Sequence, residues 1–202
     1  MVEDINRSLF LWLNAGSDAP GWLITLATLI ARDLIAIVPV MIVVLWLWGP
    51  RKQLTSQREL VVKTAIALLY ALAISWCLGQ LFPHPRPFTV GLGHQYLAHA
   101  PDYSYPSDHG TVIFTFALAF SCWHRLWSGI VLLFTGLAIA WSRVYLGVHW
   151  PLDMIGSLLV GLLSCLFAQI LWQICGQNVL SRLSSIYRTL FAFPISKGWI
   201  RQ

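Results

Sequence analysis

Three short stretches hold most of the residues able to do chemistry: PHPRPF (83–88), PSDHG (106–110) and SRVYLGVHWPLD (142–153). Arg86, Arg143 and Ser107 suit a tetrahedral anion, because guanidinium forks match phosphate oxygens two at a time. Two histidines, His109 and His149, can divide the work of phosphoryl transfer. One attacks phosphorus while neutral, and the other, protonated, supplies a proton to the leaving oxygen. A carboxylate beside the attacking histidine fixes its tautomer and stabilises the cation formed. Asp153 follows His149 by four residues, the spacing of one helical face, but Pro151 disfavours helical geometry at Trp150. His149 is therefore expected just before a helix that starts near Pro151, with Asp153 in its first turn. Ser107 makes a good N-cap for the run that follows it, and helix N-termini attract anions.

The chain that positions these groups is very apolar. Of its 202 residues, 57% are hydrophobic and only 10% charged, against roughly 25% charged in a soluble domain. Runs without a charged residue cover 34–50, 64–85, 110–123, 126–142 and 154–181. A helix needs about 20 residues to cross the hydrocarbon. The third run reaches that length only if residues 107–109 begin its helix. Residues 20–31 are too short to cross alone; they either continue into the first span as one helix broken near Arg32-Asp33 or lie along the interface. Residues 5–14 read as a short interfacial helix, and the acidic N-terminus does not resemble a cleaved signal peptide. The expected fold is all-α: a polytopic transmembrane bundle of five firm spans plus an N-terminal interfacial or sixth short helix. One domain, 1–202, is expected, with an interfacial N-terminus (1–19), the active-site motifs (79–153) and a basic cytoplasmic tail (178–202).

Basic residues orient the bundle. Arg51, Lys52, Arg58, Lys63, Arg125, Arg182, Arg188, Lys197 and Arg201 fall on one side, expected to be cytoplasmic. Arg7, Arg32, Arg86 and Arg143 fall on the other, together with five of the six histidines. The three chemical stretches therefore meet at the outer ends of the spans. Six tryptophans near span ends (Trp46, Trp48, Trp123, Trp127, Trp141 and Trp150) read as an aromatic belt. Cys77, Cys122, Cys165 and Cys175 lie in apolar runs without CxxC spacing and read as small core residues. The net charge of +5 does not imply nucleic acid, because the basic residues sit between apolar spans.

The spacing Ser142-Arg143, five residues, His149, three residues, Asp153 resembles the third signature of the type-2 phosphatidic acid phosphatase family. That family also includes soluble acid phosphatases and vanadium haloperoxidases. Its second signature, Pro-Ser-Gly-His, is matched by Pro106-Ser107-Asp108-His109. Its first, a lysine separated by six residues from Arg-Pro, is matched only at Arg86-Pro87, with Gly79 in the lysine's place. The Asp108 variant and the surrounding text resemble the bacterial branch of bacitracin-resistance undecaprenyl-diphosphatases. The resemblance implies His149 as nucleophile, Asp153 as its orienting carboxylate, His109 as the acid toward the leaving group, and Arg86, Ser107 and Arg143 as phosphate ligands. It also implies a reaction without metal or cofactor, on a polyprenyl diphosphate in the outer face of a bacterial inner membrane. Oligomeric state is not implied.

Asp108, His84 and Arg32 are accessory candidates. Asp108 either helps position His109, holds a water or a substrate hydroxyl, or simply favours the helix dipole; His84 or Arg32 replaces the cation absent at Gly79. His94 and His99 read as loop histidines. Other lipid phosphatases, on phosphatidic acid or phosphatidylglycerophosphate, and lipid phosphotransferases share the same residues. A histidine-lined transporter would instead need ionisable groups along a midplane path, and a metal hydrolase would need ligand spacing such as HExxH.

Overall fold

The computed structural model describes residues 1–49 and 51–202, so Pro50, the last residue of the first expected run, lies outside the described residues. Its helices are α1 (Val2–Leu13), α2 (Gly21–Arg32), α3 (Ile37–Trp48), α4 (Leu54–Leu81), α5 (Asp108–Trp123), α6 (Leu126–Tyr145), α7 (Pro151–Leu190) and α8 (Ala192–Ser196). Among the described residues, four segments are long and apolar enough to cross a membrane: Gly21–Trp48, Leu54–Leu81, Leu126–Tyr145 and Pro151–Leu190. The first joins α2 to α3 across a short 3-10 turn at Leu34–Ala36, and Arg32 and Asp33 pair at 2.9 Å beside that break. Of the two readings of residues 20–31, the broken continuous span is the one formed.

The expected third span is α5. At 16 residues it is about 24 Å long, short of the hydrocarbon thickness. It tolerates this because α4, α6 and α7 surround it, and Ile113, Phe116, Ala117 and Phe120 are buried in the main core. Small residues let the neighbours approach: a Cβ at Gly129 of α6 would meet the Ser121 backbone at 2.6 Å, and one at Gly161 of α7 the Thr115 backbone at 3.0 Å.

Helix α7 runs for 40 residues, about 60 Å, and continues well past the end of its uncharged run. The segment 178–202 is only partly solvated. Arg182 and Arg188 are exposed, but the chain returns to the bundle. The Arg201 N–H donates to the Leu47 carbonyl at 2.9 Å, and Arg58 Nη2 donates to the Arg201 carbonyl at 3.0 Å. Basic residues on the sequence's polar side are thus partly used as anchors. Two other expectations change for a related reason: in a bilayer protein, apolar residues face lipid as well as core. Cys77 and Cys122 are exposed and Cys165 alone of the four is buried. Trp150, expected in the aromatic belt, is instead buried at the site end.

At that end, α1 seals the start of α7. Phe10 is fully buried against Trp150, with ring centroids 5.1 Å apart, and Asn6 Oδ1 accepts the Leu152 N–H at 3.1 Å. Asn14 ties the α4–α5 connection to the end of α6. Its amide donates to the carbonyls of His94 (2.9 Å) and Tyr145 (3.0 Å) and accepts from the His94 N–H at 2.7 Å. Gly147 closes this corner at φ 79°, where a Cβ would strike the His94 carbonyl.

Candidate active site

His149 lies between α6 and α7, and Pro151 opens α7 at its first position, as the sequence predicts. Asp153, in the first turn, accepts the Trp150 N–H at 2.8 Å and so caps the helix with the same oxygen, Oδ2, that faces His149 Nδ1 at 3.1 Å. With Nδ1–H turned to the carboxylate, Nε2 carries the lone pair. Nε2 lies 3.1 Å from Arg86 Nη1 and 3.4 Å from Arg143 Nη2. Two guanidinium groups therefore flank the atom able to attack phosphorus.

Each arginine is held by backbone carbonyls from a different direction. Arg86, between α4 and α5, donates to Val148 (2.8 Å) and Tyr103 (3.1 Å), and its Nε donates to Asp102 Oδ1 at 2.7 Å. Arg143, in the last turn of α6, donates to the Ala31 carbonyl at 3.2 Å. Its Nε is buried with no partner among the described residues. Such an unmatched donor is costly in an apolar bundle and suits an anion oxygen.

Burial, followed by the charges of Arg143 and Arg86 and of His99 and His109, holds His149 well below the usual imidazole range. It is a neutral ring near pH 7, as a nucleophile must be. His99 is likewise lowered, first by its partial burial; its ring stands 6.0 Å from that of His149. For Asp102 burial is the largest influence and pushes upward, but the Arg86 hydrogen bond and charge together leave it below the usual carboxylate range.

His109 occupies the first turn of α5, within electrostatic reach of Arg143 and His99. Ser107 is the N-cap, its Oγ accepting the Gly110 N–H at 3.4 Å, and its backbone is tied to α7 through Ser157 Oγ at 2.9 Å. Arg86, Ser107, His109, Arg143, His149 and Asp153 are thus gathered from four separate segments.

The accessory candidates stand apart. Asp108 is exposed and accepts from Ser75 Oγ of α4 at 3.2 Å, in a cleft that Gly79, Gln80 and Tyr103 also line. It is turned toward α4, not toward His109. His84 rests on the Trp150 ring with Nε2 3.6 Å from Glu3, and Arg32 is exposed and paired with Asp33. Among the described residues neither side chain hydrogen-bonds to Arg86 or Arg143, and His84 shares a cavity lining with Asp153. A Cβ at Gly79 would sit 3.5 Å from the Tyr105 carbonyl, an ordinary packing distance.

Asp102 and Ser104 belong to the cluster and were not singled out by motif spacing. Ser104 is fully buried, donates to Asp153 Oδ2 and lies 3.4 Å from His149 Nδ1. The available signal was the polar text PDYSYP (101–106) immediately before the second signature.

The chain is 60% identical over 201 residues to a protein of Escherichia coli K12 that bears the name "Putative undecaprenyl-diphosphatase YbjG", covering 100% of both chains. It is 28% identical over 159 residues to the undecaprenyl-diphosphatase BcrC of Bacillus subtilis, covering 79% of this chain and 80% of that one. Its fold is similar to the crystal structure of LpxE from Aquifex aeolicus, with a TM-score of 0.66 and 24% identity, over 82% of this chain and 94% of that one. Residues 60–176, from the second turn of α4 to the middle of α7 and enclosing all three signature stretches, match the PAP2 superfamily. The chain belongs to that superfamily of phosphatases.

Proposed function

We propose that this protein hydrolyses undecaprenyl diphosphate to undecaprenyl phosphate and inorganic phosphate. The observation that carries the reading is His149 itself, with Asp153 on Nδ1 and the two arginines around Nε2. The names of the relatives favour a polyprenyl diphosphate over other lipid phosphates. In the reaction, Arg86 and Arg143 hold the terminal phosphate, with Ser107 at the helix N-terminus beside it. The Nε2 lone pair of His149 forms a bond to phosphorus as the bond to the bridging oxygen breaks. His109, protonated once the negative charge of the substrate lies against it, gives its proton to that oxygen, and undecaprenyl phosphate departs. His109, now neutral, takes a proton from water as the water oxygen attacks the phosphohistidine. Phosphate leaves, and both histidines return to their starting states. Asp153 stabilises the positive ring formed between the two steps.

No metal is required by this scheme. The distribution of basic residues supports a site on the periplasmic side. There, hydrolysis would return a lipid carrier for cell-wall synthesis and would deplete the diphosphate that bacitracin sequesters. The test is phosphate release by purified protein from undecaprenyl diphosphate, phosphatidic acid and phosphatidylglycerophosphate, each with and without EDTA. Preference for the polyprenyl diphosphate, undiminished by EDTA, is expected. Preference for a monoester, or loss of activity in chelator, would replace the substrate or the mechanism respectively.

A further inference from the structure

Ser104 lies outside the signature stretches, in the α4–α5 connection, yet its side chain is fully buried against the His149–Asp153 pair. Asp153 Oδ2 is the meeting point of three donors: the Ser104 hydroxyl, the Trp150 N–H at 2.8 Å and His149 Nδ1 at 3.1 Å. The Ser104 backbone is held separately, its N–H donating to the His84 carbonyl at 2.8 Å. The hydroxyl is therefore presented to the carboxylate by a fixed backbone.

From this geometry we propose that Ser104 is a positioning residue for phosphoryl transfer, acting through Asp153. Its O–H keeps Oδ2 ionised and in place, so that His149 turns Nδ1–H toward it and leaves the Nε2 lone pair between Arg86 and Arg143. The inference rests on the role proposed above for His149. Each hydrogen bond donated to a carboxylate favours its charged form. A buried carboxylate deprived of one donor takes up a proton more readily, and a protonated Oδ2 is a poor acceptor for Nδ1–H. Asp153 is faced by Ser104, His84 and Arg86 of the connection. The groups facing His149 are Asp153 from α7, Arg143 from α6, His109 from α5, and Arg86, His99 and Ser104 from the connection. The arginines and histidines all oppose a proton on His149. Asp153 is the acidic member, so whatever governs its charge governs the acid limit of the pair.

Ser104→Ala removes a single oxygen and tests this in purified protein. In a kcat/KM profile on undecaprenyl diphosphate, the acid limb is expected to move up by about half to one pH unit, the influence of one hydrogen bond. The accompanying change is a roughly tenfold fall in kcat with KM nearly constant. Ser104→Cys, a weaker donor, should fall between Ala and wild type. Reduced activity with an unmoved acid limb would mean a packing role and would overturn the proposal. A second readout does not depend on turnover: the ¹⁵N signals of His149 in labelled protein report its tautomer and titration. Wild type should hold the Nδ1–H form, and Ser104→Ala should mix the two tautomers. An unchanged tautomer overturns the positioning role, even if no lipid phosphate proves to be a substrate and the proposed function itself fails.

Discussion

Asp102, an exposed acid, holds Arg86, a buried cation, with Oδ1 2.7 Å from Nε. The bond aims the guanidinium, yet it also puts a negative charge close to where an anionic substrate would lie. These two effects separate by mutation. Asp102→Asn keeps an acceptor for Nε and removes the charge, so KM for a lipid diphosphate should fall about two- to fivefold, less in high salt. Asp102→Ala loses the acceptor as well, and KM should rise. Equal KM values in both variants would show that Asp102 neither aims nor opposes.

The lowered proton affinity of His149 predicts both an activity profile and a stability profile. His149→Ala should remove turnover, by at least about a thousandfold, while the protein remains folded. In wild type, kcat/KM should persist on the acid side of the ordinary imidazole value of about 6.5. The unfolded chain takes up this proton near that value, whereas the folded chain refuses it until a lower pH. Stability should therefore be fully present above about pH 6.5 and decline as pH falls toward the folded value, by at most about 1.4 kcal/mol per pH unit for this one group. Thermal unfolding against pH should be flatter in His149→Ala.

Asp153 has two jobs on one oxygen, and its variants should divide them. Asp153→Asn keeps an acceptor for the Trp150 N–H but cannot carry the charge opposite His149. Its kcat should fall by about a hundredfold or more, yet less than in His149→Ala, with Tm nearly unchanged. Asp153→Ala also loses the cap of α7, costing about 1 kcal/mol and lowering Tm. A Tm loss in Asn equal to that in Ala would assign the carboxylate to structure.

Sidedness is open to a direct measurement. A periplasm-active reporter fused after His94 should be active, and one fused after Arg125 or at Gln202 should be silent. The reverse pattern would place the site on the cytoplasmic face and remove the carrier-recycling role.

The sequence alone determined the helical class, because uncharged runs of bilayer length admit no other backbone solution in lipid. It also singled out six polar residues that the fold brings to one end of the bundle. Arg86, Ser107, His109, Arg143, His149 and Asp153 sit at span ends, where polar side chains in an apolar chain need a reason, and their local geometry follows from Pro151 and the Ser107 cap. Tertiary structure alone decided the remainder. Asp102 and Ser104 meet Arg86 and Asp153 across 16 and 49 residues of chain, through a connection that no periodicity describes. The same connection and α1 set His84 beside Glu3 and the Trp150 ring. Asp108 is drawn to Ser75 because α4 packs beside the start of α5. Spacing along a chain fixes what one helix presents; which polar groups satisfy one another across helices is settled only when the bundle closes, since a buried donor takes whichever acceptor packing brings to it.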